Sequence, residues 1–147
     1  MYVIITSDEA LVRQAKRCGA SIFEASRISD VTVRSEEQEV AEHKINRFMG
    51  LMAIKPNLLG YDYIKYILKR CVEDPMYHRK PLVKCIYVDC ACYFKTEPHR
   101  VERGIRHALQ RGFETAPEIY SKMFNDDMKS KPNNGEFISM SSLYLTN

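Results

Sequence analysis

Apolar positions change their period along the chain. Tyr2-Val-Ile-Ile-Thr6 is a continuous β-branched run of the kind buried on both faces of a parallel sheet. Ser7 or Asp8 can cap a following helix, in which Ala10, Leu11 and Ala15 recur at helical spacing and which Gly19 ends. Ser21-Ile-Phe-Glu-Ala25 then reads as a second strand. One strand-helix-strand unit cannot cover both faces of its own sheet, so this unit is expected to be a remnant, a docking element or half of something larger.

Ser29 to Glu42 is polar and acidic, and reads as a linker running into a helix start, with Ser35-Glu-Glu-Gln-Glu39 a solvated acidic helix turn. From Lys44 the period becomes helical. Ile45, Phe48, Met49 and Met52 lie at i, i+3, i+4, i+7, and Tyr61, Ile64, Ile67 and Leu68 continue on a second amphipathic segment beyond Pro56-Asn57. Pro75 and His78-Arg-Lys-Pro81 interrupt the chain before a third helical stretch, Leu82 to Phe94. Thr96 can cap a further helix, with Glu97 and Pro98 in its first turn. The expected architecture is mainly α: a helical bundle of five or six helices, preceded by the short β-α-β unit.

In the helix after Thr96, Val101, Ile105, Ala108, Leu109 and Phe113 share one face. Arg100, Arg103, Arg106, His107, Gln110 and Arg111 share the other. A short helix, a tight turn and a second helix with cationic residues in its first turns is the arrangement of a helix-turn-helix. The major groove admits one helix, arginine's planar fork matches the two acceptors of guanine, and glutamate accepts from cytosine's amino group. Arg100, Glu102 and Arg103 are residues of those types. The competing reading of the same residues is a solvated basic face with Glu102 paired to Arg106 at i, i+4.

Charge supports an anionic partner. The 147 residues carry a formal net charge of +3. Met1 to His43 holds five basic and eight acidic residues, net −3, whereas Lys44 to Asn147 holds 17 basic and 11 acidic, net +6. Nucleic acid is the expected partner before membrane. No run approaches the roughly 18 apolar residues of a bilayer span, and the opening residues do not form a signal peptide, so a cytoplasmic protein is expected. Five irregularly spaced cysteines fit reduced thiols. Cys85, Cys90 and Cys92 match no common zinc spacing, and small buried side chains are expected of them instead. An enzyme is not indicated, because Gly-rich phosphate loops, paired metal-ligand motifs and nucleophile elbows are all missing. No cofactor and no metal are expected.

Arg100-Val-Glu-Arg-Gly-Ile-Arg-His-Ala108 closely resembles the recognition helix of the stage 0 sporulation response regulators. Gly60-Tyr-x-Tyr63, Lys84 to Phe94, and Lys131-Pro-Asn-Asn-Gly-Glu-Phe-Ile-Ser-Met140 are similar to further segments of that family's effector domain. The resemblance covers most of residues 44–145. It implies a six-helix effector domain that binds TCGA-containing boxes in double-stranded DNA, commonly as tandem homodimers, and that contacts an RNA polymerase sigma factor. By the same resemblance Arg100, Glu102 and Arg103 read bases, and Arg106, His107, Lys131 and Asn134 touch phosphates or support the loop; Lys95 and His99 flank the helix start as weaker phosphate candidates. For His107 a half-buried, internally satisfied histidine is an equal alternative.

The chain departs from the family pattern in places. Gly104 replaces an alanine, at a cost of roughly 0.5 to 1 kcal/mol of helix stability. Val88 stands at a usual proline, and the stretch from His107 to Pro132 is shorter, with Pro117 inserted. Tyr2 to Ser29 resembles the end of a receiver domain, with Thr6 or Ser7 near the switch hydroxyl, and Ser26 falls at the receiver lysine. A regulator not controlled by phosphorylation is therefore expected, with residues 1–35 as receiver remnant and linker and 36–147 as the DNA-binding effector domain. The alternative is an interaction protein that modulates a full-length regulator or polymerase without strong DNA binding of its own.

Overall fold

The computed structural model describes Arg13, Arg17, and residues 25–124 and 130–147. The expected β-α-β unit lies, apart from those two arginines and its last few residues, outside the described residues. The chain divides into two compact units, Met1–Gln38 and Glu39–Asn147. Among the described residues there are six α-helices and no strand: α1 (Ala25–Leu51), α2 (Leu59–Glu73), α3 (Tyr87–Phe94), α4 (Pro98–Thr115), α5 (Pro117–Phe124) and α6 (Asn134–Thr146). A 3-10 turn, Tyr77–Arg79, and a π-helical turn, Leu82–Ile86, join α2 to α3.

The polar stretch Ser29 to Glu42, expected to run into a helix start, is helical throughout. Residues 25–49 contain neither glycine nor proline and include four glutamates and three arginines. Such a segment propagates a helix without needing an apolar stripe. Ala25, expected at the end of a strand, opens this helix.

Within residues 39–147 the core is built as the helical period requires. Ile45, Phe48, Met49 and Met52 of α1 are buried, as are Ile64, Ile67 and Leu68 of α2 and Val101, Ile105, Ala108 and Leu109 of α4. Fully burying each of these side chains other than Ala108 contributes about 1.5–3 kcal/mol. The helix α4 is the centre of the unit and packs against α2, α3, α5 and α6. Phe113, expected on the buried face, is only half-buried and meets Tyr120 edge-on at 5.6 Å between ring centroids.

Tyr120, fully buried on α5, donates its hydroxyl hydrogen to the Met52 carbonyl at 3.1 Å and closes α5 over the end of α1. Pro117 opens α5 at the position where a missing N–H costs nothing.

The last helix is started by a reciprocal cap. Asn133 accepts from the Glu136 N–H at 2.9 Å, and the Glu136 carboxylate accepts from the Asn133 N–H at 3.0 Å. Phe137, Ile138 and Leu145 of α6 enter the core, while Met140, Leu143 and Tyr144 of the same helix face outward.

Candidate nucleic-acid interface

The two helices of the expected helix-turn-helix are α3 and α4. Their connection is a tight turn of three residues, Lys95-Thr96-Glu97. Lys95 terminates α3 in the left-handed conformation, φ 52° and ψ 49°, with its N–H directed to the last carbonyls of the helix. The Thr96 N–H reaches back to the Ala91 carbonyl at 2.9 Å, which reverses the chain within one turn. Thr96 is not the cap of α4. That position belongs to Glu97, extended at φ −105° and ψ 145°, and Pro98 is the first helical residue, where its fixed φ already suits the helix.

Three contacts hold this motif on the bundle. The Tyr77 hydroxyl donates to the Asp89 carboxylate at 2.5 Å, and Arg70 of α2 lies 3.5 Å from the same carboxylate. Burial, and then the hydrogen bond to Asp89, push the Tyr77 hydroxyl well above the ordinary tyrosine range, so it remains a donor. Tyr93 stacks on Tyr66 at 4.4 Å, and Phe94 meets Tyr63 edge-on at 5.1 Å. Asn134 supplies the third link. It is 8% exposed, and its amide nitrogen donates to the Tyr87 hydroxyl at 2.9 Å and to the Glu102 carbonyl at 3.1 Å.

The outer face of α4 is cationic and accessible. Arg100, Arg103, Arg106, His107, Gln110 and Arg111 are all exposed. His107 is therefore not an internally satisfied histidine. Arg103 has no ion pair or hydrogen bond among the described residues, whereas Arg106 is paired with Glu102 one turn earlier. Arg100 lies 3.8 Å from the Glu97 carboxylate and His99 3.4 Å from it. All of these pairs are solvent-exposed, so each is held weakly and can be exchanged for an anion.

Arg103, Arg106, His107, Gln110 and Lys131 line one open groove of about 310 Å³. Lys131 reaches it from the segment before α6 and is half-buried. Burial, and then the nearby Arg106 charge, lower the Lys131 pKa from its ordinary value. Lys95, His99 and Arg100 stand at the start of α4 and are not part of the groove. Asn134 is not a loop residue but the first residue of α6, and both hydrogens of its side-chain amide are engaged inside the domain.

Gln110 lies seven positions after Arg103 on the same helical face, where periodicity put it, and it lines the groove; Tyr87 is the residue that sequence reasoning did not single out. The Tyr87–Asn134 contact joins residues 47 apart and leaves no local signature.

The cysteines divide. Cys71 and Cys90 are buried, but Cys85 and Cys92, expected as small core residues, are exposed. Among the described residues no group of three or more His, Cys, Asp or Glu side chains could hold a metal ion, and no helix is long and apolar enough to cross a membrane.

The family model described as the sporulation initiation factor Spo0A C terminal matches residues 45–145, more than half of the chain. The chain belongs to this family. Spo0A C-terminal domains are DNA-binding domains of sporulation regulators and not a catalytic family. The matched residues contain all of α2 to α5 and all but the last residue of α6, and with them both helices of the helix-turn-helix and the residues of the cationic groove.

Proposed function

We propose that the chain is a sequence-specific DNA-binding transcriptional regulator whose recognition helix is α4, with residues 36–147 as the effector domain. The observation that carries this reading is the exposed cationic face of α4, held by its own buried stripe and by α3 in a helix-turn-helix. Arg100, Glu102 and Arg103 occupy the first turns of α4, the part of a recognition helix that approaches base edges in the major groove. Arg103 enters with its guanidinium unengaged. Glu102 enters paired to Arg106, and a phosphate taken up by Arg106 would free the carboxylate to accept from a cytosine amino group.

Arg106, His107 and Lys131 then belong to the backbone contacts, with Lys95 and His99 as flanking contacts at the start of the helix. The family resemblance nominates a TCGA-containing box, bound by homodimers on tandem sites, and a polymerase sigma factor as protein partner. A salt titration of the affinity for duplex DNA tests the reading. Binding is expected to weaken linearly on a log-log scale, with a slope of about 0.9 for each phosphate contacted. Affinity that is flat in salt contradicts it.

The second reading, an interaction protein with little DNA affinity, draws on Met140, Leu143 and Tyr144, which leave an apolar face of α6 exposed. Retention of a sigma factor together with no retarded duplex at low salt would favour it.

A further inference from the structure

Asn134 spends both hydrogens of one nitrogen on two acceptors that belong to different elements. One is the hydroxyl of Tyr87, the first residue of α3, and the other is the backbone carbonyl of Glu102 in the second turn of α4. A single side chain thus ties the start of α6 to both helices of the helix-turn-helix. Few side chains could replace it. A carboxylate here would face the Glu102 carbonyl oxygen, acceptor against acceptor, and glutamine is one methylene too long for a site this buried.

Lys131 lies three residues before this tie. Pro132, between them, is buried and has a fixed φ, and Asn133 is held by the α6 cap. Three residues span at most about 11 Å, so fixing Asn134 fixes how far Lys131 can stray from the groove it shares with Arg103, Arg106, His107 and Gln110. Held there, Lys131 bears a cost, because burial and the Arg106 charge both disfavour its ammonium. An anion in the groove offsets that cost.

We propose that Asn134 is a positioning residue for DNA binding. By clamping α6 to α3 and α4 it keeps Lys131 at the groove, where Lys131, Arg106 and His107 together seat one backbone phosphate. This inference rests on the DNA-binding reading above.

The test is the salt dependence of duplex binding, measured on the full chain with a TCGA-containing box. Lys131→Ala is expected to reduce the slope of log K against log salt by about one phosphate. Asn134→Ala, which removes no charge, is expected to reduce it by the same amount, and the double variant by no more than either alone. Tyr120→Phe is the control. It removes a buried hydrogen bond distant in sequence from the clamp, so it lowers the melting temperature while keeping the slope.

A wild-type slope in folded Asn134→Ala, or a double variant whose slope falls twice as far, overturns the clamp and leaves the DNA-binding reading standing. No salt-dependent binding by the wild type overturns both. Should Asn134→Ala show no cooperative melt, Tyr87→Phe replaces it, since it deletes one clamp acceptor and keeps the ring. A reduced slope in Tyr87→Phe supports the proposal, and an unchanged one overturns it.

Discussion

Gly60 lies against the backbone of Gly104, so closely that a Cβ on Gly60 would stand 2.1 Å from the Gly104 carbonyl oxygen. This is the point at which α2 and α4 touch without side chains between them. A Cβ on Gly104 would in turn meet the Tyr63 ring at 2.9 Å. That ring is buried and braced edge-on by Phe94, so it has little room to retreat. The glycine that costs helix propensity is thus matched to the tyrosine packed on it.

Gly104→Ala, which propensity alone predicts to stabilise the helix by roughly 0.5 to 1 kcal/mol, is instead expected to lower the urea midpoint. Gly60→Ala meets backbone rather than a ring and is expected to cost more, about 1–3 kcal/mol. Urea unfolding followed by circular dichroism measures both, and a raised midpoint for Gly104→Ala contradicts the packing argument.

Lys95 holds a left-handed conformation, at φ 52°, that glycine adopts without penalty. Lys95→Gly is expected to stabilise the domain by roughly 1 kcal/mol, whereas Lys95→Ala is expected to bring no gain. If Lys95 also touches a phosphate, Lys95→Gly binds duplex more weakly despite being more stable, and thermal melts with a parallel binding titration separate the two effects.

Lys131 is predicted to oppose stability and favour binding. Burial, and then the Arg106 charge, hold its folded pKa below lysine's ordinary value, so carrying the charge disfavours the folded state. The cost is fully present at neutral pH and is relieved as pH rises from the folded value towards 10.5. Lys131→Met is therefore expected to hold or raise the melting temperature at pH 7 while weakening duplex binding. A lowered melting temperature with unchanged affinity contradicts this assignment.

Cysteine reactivity should follow burial. Desolvation pushes the Cys71 thiol up to about 11 and the Cys90 thiol up to about 12, which leaves almost no thiolate at pH 8. Brief alkylation of the native protein, read by peptide mass spectrometry, should mark Cys85 and Cys92 and spare Cys71 and Cys90 until urea is added. Early labelling of Cys90 would mean that α3 opens more readily than its contacts imply.

The stripe Val101, Ile105, Ala108 and Leu109 was legible because a helix that covers a core must repeat its apolar positions, and the exposed arginines of α4 followed by subtraction. Phe113 was misjudged because twelve residues of helical drift carry it to the edge of the stripe. Ser29 to Glu42 gave no apolar period to read, and only its lack of helix breakers hinted at a helix. The Asn134 clamp was invisible for another reason: an asparagine before an apolar run looks like a cap, and the cap is in fact its neighbour Asn133. Which acceptors a buried amide finds depends on elements far away in the chain. The same holds for Gly104, whose partner Tyr63 is 41 positions earlier and explains an apparent defect in the helix.

The account depends most on Arg103 reading a base edge. Fluorescence anisotropy with two labelled duplexes of equal length, one carrying the TCGA box and one scrambled, measures this for the wild type and Arg103→Ala at one salt concentration. The prediction is a loss of roughly 1–3 kcal/mol on the box, about a 5- to 150-fold rise in Kd, with little change on the scrambled duplex. Equal losses on both would make Arg103 a phosphate contact and contradict base reading by α4.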